Sequence, residues 1–380
     1  MKRTYIFILL SVVWLFQACS NNDDPVIDGG DDYTVDWSMA ADSSSENFIY
    51  SFWNTADHYF NYNNSGSTDF HYWPQAHALD VVIDAYLRTN DNLYKTTIED
   101  WYEGVKAKNG NSFFNVFYDD MEWNALAMLR AYNATNDEKY KDAAISVWND
   151  IKTGWNDNAG GGIAWKKDQP YSKNACSNGP ASILAARLYQ QFGNEEDKEW
   201  ALKIYNWEKE YLFNPGNGSV YDNVDSRTGE VQTSWIFTYN QGTFLGAALE
   251  LYNITGEKSY LNDAIKAADY TLNNLVNSND RLLKDEGTGD GGLFKGVFVR
   301  YFTQLILHSD LSSGTQNRYI QFLKFNAEAL WTEGTNKQQV LYGTYWKTKP
   351  GSTTELTTQS SGAMLIEATA LLEAEGLINQ

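Results

Sequence analysis

Two adjacent aspartates, Asp119 and Asp120, stand where a predicted helix begins. Consecutive residues on a helix point in different directions, so the pair does not form a salt-bridging helical face. One carboxylate could cap the helix while both lie at the positive end of its dipole, which is the purely structural interpretation. An ionised carboxylate beside a protonated one could instead flank a glycosidic bond, as glycoside hydrolysis requires.

The surroundings of the pair favour the chemical interpretation. Tyr118 and Trp123 flank it, and Glu122 adds a third acid. Close like charges oppose simultaneous ionisation, so the two acids should differ in pKa. Neighbouring residues hold their carboxyl groups near the roughly 5–5.5 Å of a retaining glycosidase rather than the wider gap of an inverting one. The spacing therefore favours double displacement.

A short sequence pattern, which we call the recurring phrase, repeats along the chain. A helix that ends in Tyr is followed by a short polar turn and by Tyr or Trp in the next helix, as at Tyr86, Tyr132 and Tyr252, with a degenerate copy at Tyr189. The distance between copies varies too much for a regular open array. It fits helical hairpins with functional loops inserted on one side.

Apolar residues at three- and four-residue spacing predict twelve helices. They lie near 46–60, 75–88, 93–108, 120–133, 137–152, 175–191, 195–212, 240–253, 258–276, 293–308, 315–332 and 360–376. Segments 218–221 and 340–346 could be short strands, and no run of βαβ units indicates a parallel sheet. We therefore predict an all-α fold, an (α/α)6 toroid of six helical hairpins with a few short strands in loops.

The even-numbered helices begin with polar, aromatic or glycine-rich sequence, whereas the odd-numbered helices are plainly amphipathic. These openings are at 71–77, 117–124, 173–178, 238–242, 290–296 and 357–362. In a toroid all six lie at one rim, so their side chains should converge on a single cavity.

Composition restricts the partners of this cavity. The formal net charge is -20, which argues against nucleic acid and an anionic membrane surface. A neutral polysaccharide fits better, and some of the 14 Trp and 25 Tyr residues could stack on sugar rings although most should pack the core. The four His are scattered and Cys176 has no zinc-ligand spacing around it, so we expect no metal, no cofactor and an inert buried thiol at Cys176.

The N-terminus resembles a bacterial lipoprotein signal. Lys2 and Arg3 precede a mostly apolar stretch that is too short to span a bilayer, and Cys19 follows it in a lipobox-like context. The predicted organisation is a signal peptide at 1–18, a flexible acidic tether at 19–42 that resembles the export signal of Bacteroidetes surface lipoproteins, and a catalytic domain at 43–380. We expect an outer-membrane lipoprotein lipidated at Cys19, at the cell surface or on the periplasmic face.

The stretch at 118–132, with the double aspartate, resembles the signature of glycoside hydrolase family 76. Further similar stretches lie at 160–166, 174–181, 239–246 and 294–301. The resemblance implies an (α/α)6 endo-α-1,6-mannanase without a cofactor, with Asp119 as the nucleophile and Asp120 as the general acid/base. Its implied partner is α-mannan polysaccharide or oligosaccharide, bound by a monomer.

Twelve further residues are candidates for substrate binding. They are His77, Asp80, Trp123, Asn174, Asn178, Asp222, Tyr239, Asn240, Gln241, Lys295, Arg300 and Trp346. Each has a structural alternative, because the polar ones could cap helices, fix turns or form buried ion pairs, and the Trp residues could belong to the core.

Two other classes of function remain open. A non-catalytic glycan-binding lipoprotein would share the tether, helices and aromatics, but it has no use for a repulsive carboxylate pair. A different (α/α)6 enzyme, such as another glycosidase, a transglycosylase, an uronyl hydrolase or a sugar epimerase, is the second alternative. Epimerases need several His around the cavity, and of the four only His77 lies at a predicted rim position.

Overall fold

The structure, a computed structural model, describes residues 34–378. The predicted signal peptide, Cys19 and the tether up to residue 33 lie outside the described residues. The described part contains twelve α-helices. They are α1 (Trp37–Phe52), α2 (Tyr72–Thr89), α3 (Asn92–Lys108), α4 (Tyr118–Thr135), α5 (Glu138–Ile151), α6 (Gly179–Phe192), α7 (Glu195–Tyr211), α8 (Thr238–Thr255), α9 (Lys258–Asn274), α10 (Gly291–Ile306), α11 (Ser313–Ala329) and α12 (Leu356–Ala374). No helix in this range is both long and apolar enough to cross a bilayer.

The even-numbered helices form a closed inner ring. They contact one another in the order α2, α4, α6, α8, α10 and α12, and α12 contacts α2 again. The odd-numbered helices pack outside them, so the predicted all-α toroid of six hairpins is confirmed. The inner and outer helices differ in burial. The inner helix α8 is buried at every position from Thr238 to Tyr252, whereas the outer helix α9 is buried along one face only.

Two glycines allow the inner helices to approach closely. A Cβ at Gly242 of α8 would lie 2.6 Å from Cα of Phe298 in α10, and one at Gly296 of α10 would lie 2.7 Å from Cα of Ser361 in α12. Larger side chains at these positions would push the helices apart, so the ring depends on these small residues.

The recurring phrase marks the turns inside the hairpins. Asn90, Asn136, Gly193 and Gly256 end α2, α4, α6 and α8 in the left-handed conformation that helix C-termini favour. Side chains of the next residue then cap the following helix in three cases, for example when Asp91 accepts a hydrogen bond from the backbone N–H of Leu93 at 2.8 Å. The repeat therefore encodes the turns on the face opposite the functional rim.

The first helix lies earlier than predicted. It spans Trp37–Phe52 rather than 46–60, so the predicted domain boundary at residue 43 falls inside it. Asp36 caps its N-terminus by accepting a hydrogen bond from N–H of Met39 at 2.9 Å. The predicted tether, 19–42, therefore overlaps the start of this helix. The helix continues through the buried Ser44 and Ser45, whose hydroxyls bond Tyr342 and Glu367.

Short strands occur, but mostly elsewhere than predicted. A two-stranded sheet joins β1 (Trp53–Asn54) to β2 (Tyr59–Phe60), and β3 (Ser172–Asn174), β4 (Asn223–Asp225) and β5 (Glu230–Val231) form an antiparallel sheet. The predicted strands at 218–221 and 340–346 contain only isolated bridges. The strands are confined to loops and leave the helical ring intact.

Candidate active site

Asp119 and Asp120 lie in the first turn of α4, at the wall of a cleft of about 620 Å³ on the rim. The N-cap residue is Phe117, which is extended and makes no side-chain cap bond, so neither aspartate caps the helix in the usual way. N–H of Tyr118 donates to the carbonyl of Trp165 at 3.0 Å and ties the helix start to the neighbouring loop. Neither aspartate therefore occupies the N-cap position of α4.

The carboxylate of Asp119 accepts three hydrogen bonds. Its Oδ2 accepts from Nε1 of Trp165 at 3.1 Å and from the thiol of Cys176 at 3.4 Å. Its Oδ1 accepts from the backbone N–H of Asp120 at 3.0 Å. Burial raises the pKa of Asp119 to about 7, and these three donors oppose that rise. Asp119 is therefore the member of the pair that the site prepares to carry negative charge.

Asp120 has the opposite environment. Burial, followed by the negative charges of Asp119 and Asp290, raises its pKa well above the ordinary value. Within residues 34–378 no donor bonds its side-chain oxygens, so nothing there offsets the cost of ionising it. The site thus gives two chemically identical side chains unequal environments, since donors that favour the ionised form reach Asp119 and none of the described residues supplies one to Asp120.

Aromatic rings form the walls of the cleft. The rings of Trp73 and Trp123 lie 6.4 Å apart, and Nε1 of Trp73 donates to Oδ1 of Asp290 at 2.9 Å. On another side the ring of Tyr239 stacks on Phe294 at 4.0 Å and 13°. Flat apolar faces beside polar groups are the surface that a pyranose ring requires.

The structure brings five of the predicted site residues to this cleft. They are Asp119, Asp120, Trp123, Asn174 and Tyr239. Trp165, Cys176, Trp73 and Asp290 also line it and were missed. Trp165 lies in the glycine-rich stretch at 160–166, whose family-like sequence was the available signal. Cys176 is a buried free thiol as expected, and its Sγ–H donates to the candidate nucleophile, a contact that the sequence did not indicate.

Four predicted residues support the wall of the cleft from behind. Asp222 is buried and accepts from Oη of Tyr239 at 3.2 Å and from Nδ2 of Asn240 at 3.0 Å. Nε2 of Gln241 donates to the carbonyl of Val220 at 3.0 Å. Asn178 bonds both backbone groups of Ile163. These contacts fix the orientation of Tyr239 and the loop before α6.

Asp80 and Arg300 lie deeper than predicted. Arg300 places Nε 3.4 Å from Oδ2 of Asp80 and Nη2 3.0 Å from Oδ2 of Asp84, and Arg130 bonds both carboxylates. Asp80 follows the start of α2 by eight residues, so this network joins α2, α4 and α10 inside the ring. The structural alternative of a buried ion pair is the one observed, and neither residue lines the cleft.

His77 lies between this network and the cleft. Its ring packs 4.9 Å from that of Trp123, and its Nδ1 is 3.7 Å from Oδ2 of Asp80. Burial lowers the pKa of His77, which favours the neutral ring. It supports Trp123 from behind and does not line the cleft.

Lys295 and Trp346 belong to the interior beside the loop before α12. Trp346 is fully buried, so its predicted role as a stacking platform is wrong and it is a core residue. Nζ of Lys295 lies 4.5 Å above its ring and donates to the carbonyl of Thr344. Burial lowers the pKa of Lys295 to about 8.

Throughout residues 34–378, no three His, Cys, Asp or Glu side chains are grouped to hold a metal ion.

The sequence model of glycosyl hydrolase family 76 matches residues 36–380. The GH76A alpha-1,6-mannanase of Salegentibacter sp. HEL1_6 is 48% identical, with a TM-score of 0.85 over 89% of this chain and 100% of that one. An inactive variant of the same mannanase, changed at two adjacent aspartates and solved with alpha-1,6-mannotetrose, is 47% identical with a TM-score of 0.86, over the same shares of both chains.

A fungal relative is also similar. The mannan endo-1,6-alpha-mannosidase DCW1 of Saccharomyces cerevisiae is 36% identical over 152 residues, which are 36% of this chain. The match spans only 34% of that relative's own length. It therefore concerns part of the fungal protein and not its whole extent.

Proposed function

The chain belongs to glycosyl hydrolase family 76, and from that premise we propose that it is a monomeric, endo-acting α-1,6-mannanase with a retaining mechanism. The observation that carries the proposal is the unequal environment of Asp119 and Asp120, since three donors bond the carboxyl of Asp119 and none of the described residues bonds that of Asp120. The names of the Salegentibacter and Saccharomyces relatives support α-1,6-mannan as the substrate.

The first step forms a glycosyl ester. The carboxylate of Asp119 attacks C1 of the mannosyl unit, and the C1–O bond to the next unit breaks. Asp120 gives its proton to the departing oxygen, so the shortened chain leaves as a neutral alcohol. Trp165 and Cys176 hold the attacking carboxylate in place through their bonds to Oδ2.

The second step reverses the role of Asp120. Once Asp119 is esterified it no longer bears a charge, so one cause of the high pKa of Asp120 disappears. Asp120, now ionised, accepts a proton from water while the water oxygen attacks C1 and the ester bond breaks. The product regains the α configuration and both aspartates return to their starting states.

The walls of the cleft fit a neutral sugar chain. Trp73 and Trp123 on one side and the stacked pair Tyr239 and Phe294 on another offer ring faces. Asn174 supplies a polar amide, and the net charge of -20 repels anionic polymers but not mannan. A glycan-binding protein would need the walls, but it would not need the divided carboxylate pair.

Chain-length analysis of products from debranched α-1,6-mannan tests this function. The proposal expects a series of oligosaccharides early in digestion, because an endo-acting enzyme cuts inside the chain. Mannose as the sole early product would contradict the endo mode, and products longer than the starting mannan chains would indicate transglycosylation. Binding without any cleavage would favour the glycan-binding alternative.

We also propose that the enzyme is tethered to the outer membrane through a lipidated Cys19. The support is the lipobox-like sequence and the acidic segment behind it, both outside the described residues. A tether of this kind would hold the cleft close to polysaccharide that reaches the cell envelope.

A further inference from the structure

A second cavity of about 660 Å³ lies on the same rim as the catalytic cleft. We refer to it as the rim cavity. The loops before α2, α10 and α12 form it, with Tyr62, Asp285, Thr344, Tyr345, Thr353 and Glu355 among its lining residues. None of these residues has a part in the mechanism above, although the rim cavity is as large as the cleft itself.

Only a thin wall separates the rim cavity from the catalytic cleft. The ring of Tyr62, in the rim cavity, lies 5.2 Å from that of His71, which lines the cleft. Oε2 of Glu355, also in the rim cavity, accepts a hydrogen bond from N–H of Gly289 at 2.6 Å, and the next residue, Asp290, lines the cleft. A polymer lying across this wall would contact both cavities.

The lining of the rim cavity fits an uncharged, hydroxyl-rich ligand. Six threonines contribute hydroxyl groups, and two tyrosines contribute aromatic rings. The charged groups are of both signs, Asp285 and Glu355 against Lys349, so neither a cation nor an anion is clearly favoured. Hydroxyls and amides that exchange hydrogen bonds, with ring faces beside them, are the requirements of a sugar.

The rim cavity is held in shape before any ligand binds. Oγ1 of Thr344 donates to Oδ2 of Asp285 at 2.9 Å, and Oη of Tyr345 bonds Asp280. N–H of Thr354 donates to Oδ1 of Asn64 at 2.8 Å and joins the loops before α2 and α12. A preformed site loses less conformational freedom on binding, so these contacts favour affinity.

We propose that the rim cavity is a distal binding site for mannosyl units of the same polysaccharide chain, away from the bond that is cleaved. This inference rests on the proposed α-1,6-mannanase function. Mannosyl units bound there add affinity for long chains. A short oligosaccharide that occupies the cleft cannot also reach the rim cavity. The site therefore makes the enzyme prefer polymer over short products.

The test compares kcat/KM on debranched α-1,6-mannan with kcat/KM on α-1,6-mannotriose. Tyr345→Ala removes a ring from the rim cavity, and Thr348→Arg adds bulk at an exposed lining position. Each should lower the ratio of the two constants at least about fivefold, the size of a lost aromatic contact to a ligand. Tyr50→Ala, at a tyrosine 89% exposed on α1, is the matched control and should leave the ratio unchanged.

The possible outcomes distinguish a failure of the distal site from a failure of the proposed mannanase function. If the wild-type enzyme cleaves both substrates and neither variant changes the ratio, the distal site is wrong while the mannanase function stands. A parallel loss on both substrates also contradicts the distal site, because it indicates damage to the cleft. If the wild-type enzyme cleaves neither substrate, the mannanase function itself fails and the distal site with it.

Discussion

Nε1 of Trp165 lies 3.1 Å from Oδ2 of Asp119 and donates a hydrogen bond to it. The side chain of Asp120, the adjacent residue, receives no such bond from any residue between 34 and 378. Since donors stabilise an ionised carboxylate, this single contact contributes to the chemical difference between two identical neighbours. The division of labour in the proposed mechanism rests on this contact together with those from Cys176 and the backbone N–H of Asp120.

Trp165→Phe should shift the acidic limb of the kcat/KM profile to higher pH. Asp119 must be ionised to attack, and its pKa of about 7 falls on that limb. Removing a donor to the carboxylate raises this pKa further, by about one unit for a hydrogen bond to a charged group. Trp200→Phe is the control, since its indole donates to Glu196 at the surface. An acidic limb that does not move would remove Trp165 from the mechanism.

Asp119→Asn should abolish hydrolysis and stabilise the fold in a pH-dependent way. The pKa of about 7 in the folded protein exceeds that of an unfolded Asp, near about 4. The folded state therefore binds the proton more tightly, and its stability falls as pH rises through this window. Melting temperatures should show a larger gain for the variant at pH 8 than at pH 4.

The exposed Asp69→Asn is the control for this measurement and should change the melting temperature little at either pH. An equal gain at both pH values would mean that Asp119 carries no unfavourable charge in the fold. A loss of helical circular dichroism in Asp119→Asn would show instead that the loss of activity is a folding defect.

Arg300→Ala should destabilise the protein without a comparable loss of catalysis. Its side chain is 9% exposed and paired with Asp80 and Asp84, and removing one partner of a buried ion pair costs about 3–5 kcal/mol. Urea unfolding measures this change. Arg318→Ala breaks an exposed pair with Asp269 and should cost less than about 1 kcal/mol. A large fall in kcat/KM with unchanged stability would indicate that Arg300 acts in the active site.

Local signals made much of the ring predictable from sequence. The left-handed caps at Asn90, Asn136 and Gly256 interrupt apolar periodicity with residues that favour that conformation, so the hairpins could be located. Asp119 and Asp120 were recognisable for a similar reason, since they are adjacent and surrounded by a specific motif.

Contacts distant along the chain were not predictable in this way. Arg300 and Asp84 are 216 residues apart, and nothing near either one indicates that the other neutralises it. The hydroxyl of Ser45 donates to Glu367, 322 residues further along the chain, and nothing near Ser45 in the sequence indicates that partner. Trp346 is a residue type that could stack on a sugar, and nothing near it in the sequence indicates that it is fully buried.

Cys19→Ala should release the protein from the membrane fraction. The proposed thioether-linked lipid requires the cysteine sulfur, and serine or alanine cannot replace it. Fractionation of cells that express the full chain, with labelled palmitate to detect the lipid, measures this. The soluble variant should retain its specific activity, because Cys19 lies far along the chain from the cleft residues. A variant that still sediments with membranes would contradict lipid anchoring.

The most direct test of the mechanism is proton NMR of the first product formed from debranched α-1,6-mannan. Adjacent Asp side chains on Cα atoms about 3.8 Å apart do not easily span the roughly 6.5–9.5 Å that an inverting enzyme needs for its water. The double displacement by Asp119 and Asp120 predicts that the α-anomer of the new reducing end appears first and that the β-anomer grows in only by mutarotation. If the β-anomer appears first, the glycosyl ester on Asp119 is excluded and another carboxylate must act as the base, with Asp290, which lines the cleft, the first to test.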